Sequence, residues 1–345
     1  MPILGTGIVP GGQQGQELQY ITRRAFIPEL IVSAYQATPT LAAALANSKT
    51  AMGGISGVTV PVQGAALVTT QWSGFAGTFN QPAYQQGIWN IEFNLALAIT
   101  PIAFVGPEAL VQDEHAVIPR IHAVMNDATN NMVATFSSSL FNSTGSDPTQ
   151  WQGLPCAIDD GTNAATYGGL SRTTYPWLQS PVTASMGAAA TRLLVLRNIA
   201  RVYAGPSPLT QPGCGELPNF GVCGVATWYN LASDYINNEA FRIMADGKSF
   251  DQLDRGAQSG FMAVTVGGVP IYADLNCPEG TLYLWNTNYL ALYLHHRTRF
   301  DFTGFYSTMG NWQLGFVGAV CTAGQLVNAK PTSCGRFSGY TYPTL

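Results

Sequence analysis

Residues 107–141 read PEALVQDEHAVIPRIHAVMNDATNNMVATFSSSLF. Val117, Ile121, Val124, Ala128, Met132, Phe136 and Leu140 recur at steps of three and four, the spacing of one apolar face on an α-helix. Pro107 and Glu108 suit a first turn. Pro119 interrupts the pattern, so the helix proper either starts near Ile118 or kinks there. Even the shorter version, to Phe141, spans on the order of 35 Å at about 1.5 Å per residue. Such a helix crosses a whole domain, and the rest of the chain is read around it.

Upstream, Phe93 to Val105 is apolar and β-leaning. The stretch from Thr50 to Ile91 contains no charged residue. It alternates β-like runs (Val58, Val60, Val62; Leu67, Thr69, Gln71) with glycines and the aromatics Trp72, Phe75, Phe79, Tyr84 and Trp89. A segment this rich in glycine makes a poor core for itself, so it is expected to be a long β-hairpin that projects and packs on something else. Phe26 to Asn47 turns helical, with Pro39 as a break, and the first 25 residues, broken by Pro2, Pro10 and several glycines, read as an extended arm.

Downstream, residues 142–181 read as turns and loops, with Asp159 and Asp160 as turn formers in IDDGTN. A helix over Thr191 to Tyr203 is closed by Gly205 and Pro206. A strand at Val222 to Thr227, a helix from Trp228 to Met244 and strands at Met262 to Val266 and Gly268 to Ala273 follow. Together these predict a compact α/β unit over 191–280. The tail from Thr281 is strand-rich.

Composition bounds the class. The chain has 345 residues, of which 46% are hydrophobic and only 10% charged, against about a quarter charged in ordinary soluble domains. Its polar surface must be built from Gln, Asn, Ser and Thr, which are cheaper to desolvate against a partner than Lys or Glu. Disulfide mini-scaffolds, disordered chains and collagen are excluded. With a net charge of −4 and no basic run, an electrostatic footprint for gripping phosphates is not expected. The N-terminus has neither the basic nor the apolar region of a signal peptide. The charge-free stretches 50–91 and 302–329 are too interrupted by polar residues and glycine to be spanning helices.

Catalytic and metal signatures are missing. The GISG at 54–57 lacks the spacing of a nucleophile elbow, and GTG at 5–7 has Pro10 where a dinucleotide loop needs glycine. No P-loop or HExxH occurs. The six cysteines form no CxxC pair, and His115 and His122 lie about 10 Å apart along one helix, too far to share a metal alone. His295 and His296 are expected on opposite faces of a strand. Neither catalytic residues nor cofactor or metal ligands are assigned.

Three strings carry a family resemblance: GLPCAIDD…TYGGLSRTTYPWLQS at 153–180, GGVPIYADLNCPEGTLYLWNT at 267–287, and AGQLVNAKPTSCGRFSGYT at 323–341. With the order of elements around them, the chain resembles the major capsid proteins of tailed bacteriophages, the HK97-like fold family. The resemblance implies an α+β fold with an N-terminal arm (1–48) and an E-loop hairpin (49–92). A peripheral domain built on a long spine helix (93–190) and an axial α/β domain (191–280) follow. Return strands of the peripheral domain with a C-terminal tail (281–345) close the chain. It implies a subunit that self-assembles as hexamers and pentamers into an icosahedral shell around packaged double-stranded DNA, without sequence-specific DNA binding, cofactor or membrane. Portal and scaffolding proteins, and in some members a cement or decoration protein, are the implied partners. The implied location is the virion, with assembly in the host cytoplasm.

Low charge suits a surface buried against copies of itself. Trp72, Phe75, Tyr84 and Trp89 are interface candidates. Arg120 and Arg172 are read either as inter-subunit pairs or as ordinary surface arginines, and Tyr167 and Trp177 either as interface or as local packing. Some members of the family lock the shell by an isopeptide bond from an E-loop lysine. Here no lysine occurs between Lys49 and Lys248, so a lysine within the hairpin cannot do this. The arm also begins at once, so a separate scaffolding protein is expected. The alternatives are an encapsulin-type compartment, which shares the fold, and a secreted or outer-membrane β-rich protein.

Overall fold

The computed structural model describes residues 38–51, 57–64, 75, 87–105, 114–147, 149–205, 216–234, 263–307 and 315–342; the side chains of 105 and 114–123 are outside that description. In chain order the elements are α1 (Pro39–Ala46), β1 (Lys49–Ala51), β2 (Gly57–Gln63), β3 (Ile88–Asn94), β4 (Ala96–Val105), α2 (Glu114–Asn142) and the single turn α3 (Leu154–Ala157). Next come β5 (Thr166–Tyr167), β6 (Leu170–Ser171), β7 (Val182–Thr183), α4 (Arg192–Ala204), β8 (Phe220–Cys223) and α5 over residues 225–234. The chain continues with β9 (Ala263–Val266), β10 (Val269–Ala273), β11 (Leu282–Trp285), β12 (Leu290–His295), β13 (Asp301–Phe302), β14 (Tyr306–Ser307), β15 (Gly315–Asn328) and β16 (Gly335–Phe337).

The long helix α2 has 29 residues, about 43 Å at about 1.5 Å per residue. It begins at Glu114 and runs through Pro119 rather than starting after it. Its buried side, Met125, Met132, Phe136, Leu140 and Phe141, packs on the first sheet with Ile102, Leu292, Leu294, Phe302, Val320 and Leu326. Phe136 stacks on Trp151 with ring centroids 4.4 Å apart. Removing a side chain of this kind from such a core typically costs about 3–5 kcal/mol.

In the first sheet the 14-residue β15 is the axis: β4 pairs antiparallel along Gly315 to Gly324, and β12 along Gly324 to Asn328. The short β13 and β14 also pair with β15, and β1 adds to β12 in parallel. The second sheet has the order β7-β16-β11-β8-β10-β9. Its core is formed with α4, through Val195, Ile199 and Val202, and with α5, through Leu231.

Several expectations are revised. The helix expected over 26–47 is described only as α1, and there Pro39 opens the helix at its first turn instead of breaking it, because the missing N–H is an orphan in that position anyway. The strand expected over 93–105 is two strands, β3 and β4, divided at Leu95. The tail from 281 does not all return to the first sheet. β11 sits between β8 and β16 in the second sheet, all four of its residues are buried, and a continuous apolar run such as LYLW suits a central strand covered on both faces. His295 ends β12, so the rings of His295 and His296 adjoin, with centroids 4.9 Å apart, instead of facing apart.

Candidate assembly surfaces and the buried hub behind them

Between α3 and β7 the chain has little regular structure, and a buried carboxylate organises it. Asp159 Oδ2 accepts hydrogen bonds from the backbone N–H groups of Gly161 (3.0 Å), Asn163 (2.9 Å) and Ala164 (3.0 Å). The same oxygen faces Arg172 Nη1 at 3.2 Å, while Oδ1 faces Arg336 Nη2 at 3.3 Å. Arg172, itself fully buried, also donates from Nε to the Leu178 carbonyl (3.2 Å), from Nη1 to Ala164 (3.1 Å) and from Nη2 to Cys156 (2.6 Å). A buried ion pair is tolerated only when its remaining donors and acceptors are satisfied; Asp159 and Arg172 meet that condition, whereas Arg336 Nε is buried without a hydrogen-bond partner among the described residues. Asp160 is the plain turn former of the pair, accepting from the N–H and hydroxyl of Thr162.

The hub supports the hairpin. The Arg172 guanidinium lies 4.7 Å from the Tyr167 ring centroid, and the buried Tyr167 hydroxyl accepts from Asn328 N at 2.8 Å. Tyr167 meets Phe93 of β3 edge to face at 4.9 Å. Trp89, on the same strand, packs between Trp177 (5.5 Å) and Tyr175 (5.7 Å). At the tight β5–β6 turn Gly168 takes φ +56°, and a Cβ there would stand 2.6 Å from Ile91 Cβ. The paired β2 and β3 thus leave the body from a rigid aromatic platform, and Phe75, the described position beyond their far end, is fully exposed.

The interface candidates therefore divide. Phe75 is presented to solvent. Trp89, Tyr167 and Trp177 pack locally at the hairpin base. Arg172 is corrected outright as a surface or inter-subunit arginine, because its side chain is fully buried within the subunit. Trp72, Tyr84 and the Arg120 side chain lie outside the described residues. Two further carboxylates, the buried Asp274 and the exposed Glu279, are structural as well. Asp274 accepts from Thr40 N (3.3 Å) and Oγ1 (2.5 Å), tying α1 to the end of β10. Glu279 accepts from the N–H groups of Ala226 (3.1 Å) and Thr227 (3.3 Å) at the start of α5, where a negative charge complements the helix dipole.

A surface missed in the sequence is the face of the first sheet opposite α2. Ile99 stands across from Cys321, Ala103 from Val317, and Val317 from Tyr306. Leu97, Ile99 and Tyr306 are more than half exposed. The alternation that could have revealed this face is present in ALAITPIAFV, but its outward positions are also apolar, so the sequence shows an apolar strand without marking which face is exposed. Burial holds the thiols protonated: Cys156 is pushed up to about 11, against the pull of Arg172, and Cys223, Cys277 and Cys334 are raised as well. Among the described residues there is no group of three or more His, Cys, Asp or Glu that could hold a metal, and no helix long and apolar enough to cross a membrane.

No protein-family model matches this chain, and no curated protein matches it. Solved structures do. The capsid asymmetric unit of cyanophage A-1(L) is similar at 17% identity and a TM-score of 0.61, over 88% of this chain and 93% of that one. The SrpI encapsulin from Synechococcus elongatus PCC 7942 is similar at 12% identity and a TM-score of 0.52, over 99% and 95%. The capsid of an empty GTA particle is similar at 12% identity and a TM-score of 0.51, over 87% and 90%. The chain has the α+β fold of viral capsid and encapsulin shell subunits, the HK97-like fold.

Proposed function

We propose that this chain is the major capsid protein of a tailed bacteriophage, and that copies of it assemble as hexamers and pentamers into the icosahedral shell enclosing the packaged double-stranded DNA. The observation that carries the reading is the match of nearly the whole chain to the cyanophage capsid subunit. In this reading residues 1–48 are the arm, 49–92 the E-loop with β2 and β3 as its base, and α2 the spine of a peripheral domain over 93–190. The axial domain covers 191–280 and takes β11 and β16 into its sheet. The exposed apolar face of β4 and β15 and the exposed Phe75 are surfaces that neighbouring copies cover, since a lone subunit gains nothing from exposing them, and Trp72 and Tyr84 are assigned to the same contact. The protein works without a cofactor, in the virion, after assembly in the host cytoplasm with portal and scaffolding proteins. Non-covalent contacts, disulfides or a cement protein stabilise the shell in place of a hairpin lysine cross-link.

The encapsulin likeness over 99% of the chain supports a second reading, a closed compartment around cargo enzyme. Negative-stain electron microscopy with size-exclusion chromatography, with and without reductant, separates the two. Shells tens of nanometres wide or rings of five and six are expected, and particle diameter and nucleic-acid content distinguish virion from compartment. A monodisperse species near 37 kDa that never assembles, even with a scaffold candidate, refutes both.

A further inference from the structure

Folding completes a cationic corner of which HHRTR at 295–299 is one side and Lys49 the other. Parallel pairing of β1 with β12 sets Lys49 beside Tyr293, its ammonium 5.7 Å from the ring centroid. The chain after β12 then folds back on β1: His296 N donates to the Ala51 carbonyl (3.2 Å), and Arg299 Nη2 donates to Ser48 Oγ (3.0 Å). Lys49, His296, Arg297 and Arg299 are exposed. Among the described residues neither Lys49 nor either arginine forms an ion pair. In a chain with 15 lysines and arginines altogether, three unpaired ones at one corner call for a partner.

A complementary surface lies close by. A polar groove of about 330 Å³ opens between β3, the loop after α2 and the β5–β6 turn. Exposed Glu92 and Asp147 line it without an ion pair among the described residues, and no Lys, Arg or His does. Asp147 Oδ1 accepts from Thr149 N (2.9 Å) and Oγ1 (2.6 Å), and Gln152 adds a buried Oε1 with no hydrogen-bond partner, so the groove offers acceptors and no cation. Both surfaces flank the same stretch of β15. The Thr298 carbonyl of the corner accepts from Ala323 N (3.1 Å), and two residues on, Gln325 Oε1 accepts from Gln152 N (2.8 Å) while its Nε2 donates to the Asn94 carbonyl (3.1 Å).

We infer that the Lys49–Arg297–Arg299 corner of one copy seats against the Glu92–Asp147 groove of a second copy, in a contact about a twofold axis that makes both pairings at once. Adjacent complementary patches suit an isologous contact, in which the corner of each partner meets the groove of the other. Duplex DNA fits the corner less well, because phosphates laid on it run over the neighbouring carboxylates. The inference rests on the shell reading and names one of its contacts.

The test uses the full-length chain, with sedimentation velocity across a salt series from about 0.05 to about 0.5 M NaCl, over which charge screening sharpens. Arg297→Glu with Arg299→Glu reverses the corner, and Glu92→Arg with Asp147→Arg reverses the groove; circular dichroism and melting check that both variants fold. Wild type is expected to associate less as salt rises. Each reversed variant alone is expected to lose association by at least about tenfold through like-charge repulsion. A one-to-one mixture of the two variants restores association, because both pairings then become opposite in sign. The four-substitution chain restores self-association likewise. Association of the corner-reversed variant equal to wild type, or no rescue in the mixture, overturns the inference and leaves the shell reading standing. Loss of salt-dependent duplex DNA retention by the corner variant with association unchanged also overturns it, in favour of nucleic acid. Wild type that stays monomeric throughout, also with a scaffold candidate added, overturns the shell reading, and this contact with it.

Discussion

Replacing Asp159 by alanine is expected to be among the most damaging single changes in the subunit, and clearly worse than replacing its partner Arg172 by methionine. The asymmetry follows from what each change leaves behind. Without Asp159, the fully buried Arg172 guanidinium keeps only three carbonyl acceptors, and the N–H groups of Gly161, Asn163 and Ala164 lose their common acceptor. Breaking a buried pair so that a charge stays behind costs about 3–5 kcal/mol. The orphaned amides and the loosened Arg336 contact place Asp159→Ala at the upper end of that range. Without Arg172, the carboxylate still holds Arg336 and three N–H groups, while methionine refills most of the volume beside Tyr167. What is lost is mainly hydrogen bonds, and about 2–3 kcal/mol is expected. Urea unfolding of the unassembled subunit, followed by intrinsic tryptophan fluorescence, measures both. The hairpin base is coupled to the hub through Tyr167 and Phe93, so Trp89 and Trp177 emission should report local loosening in Asp159→Ala before global unfolding. A cost below about 1 kcal/mol for Asp159→Ala, or a larger cost for Arg172→Met, refutes the view that Asp159 is the organising charge.

Other outcomes follow from the same geometry. Gly168→Ala should destabilise by more than about 2 kcal/mol, because a Cβ meets Ile91 at 2.6 Å in a left-handed backbone, whereas Gly169→Ala, at φ +81° with open space, should cost only the backbone term of about 1–2 kcal/mol; thermal melts of the two variants separate steric from conformational cost. Native-state maleimide labelling read by mass spectrometry should spare Cys156, Cys223, Cys277 and Cys334, whose thiols burial holds protonated, and should reach them once the chain is unfolded. Burial works to raise Glu216, but hydrogen bonds from Lys330 and Tyr289 and the lysine charge outweigh it and hold the carboxyl below its usual range. Its stabilising effect is therefore present above the unfolded value and fades as pH falls through the folded one. Glu216→Gln should melt lower than wild type near neutrality, with the two curves converging in acid. Phe75→Ser should leave subunit melting unchanged and weaken assembly, scored as the fraction of protein in particles after size exclusion.

What the sequence determined by itself was whatever depends on local repetition. The 3.6-residue period of Val124 to Leu140 specifies α2, because one continuous apolar stripe has only the sheet to bury against. Thr191 and Gly205 bracket α4 through a side-chain cap and a left-handed C-terminal turn. β2 was legible in Val58, Val60 and Val62, but its partner β3 was not, because the second alternating run of the hairpin is Leu67 to Gln71, outside the described residues, and Trp89 to Phe93 shows no break between hairpin and following strand. Low charge and the three resemblance strings already point to the shell fold. Only the tertiary structure could decide the rest, because it depends on residues far apart in the chain. IDDG reads as a turn until Arg172 and Arg336 converge on one of its carboxylates from 13 and 177 positions away. TLYLW carries no mark of which sheet it enters, since a strand buried on both faces lacks the alternation that would give its orientation. Lys49 and Arg299 meet only because β1 pairs with β12, and their corner therefore exists only in the folded chain.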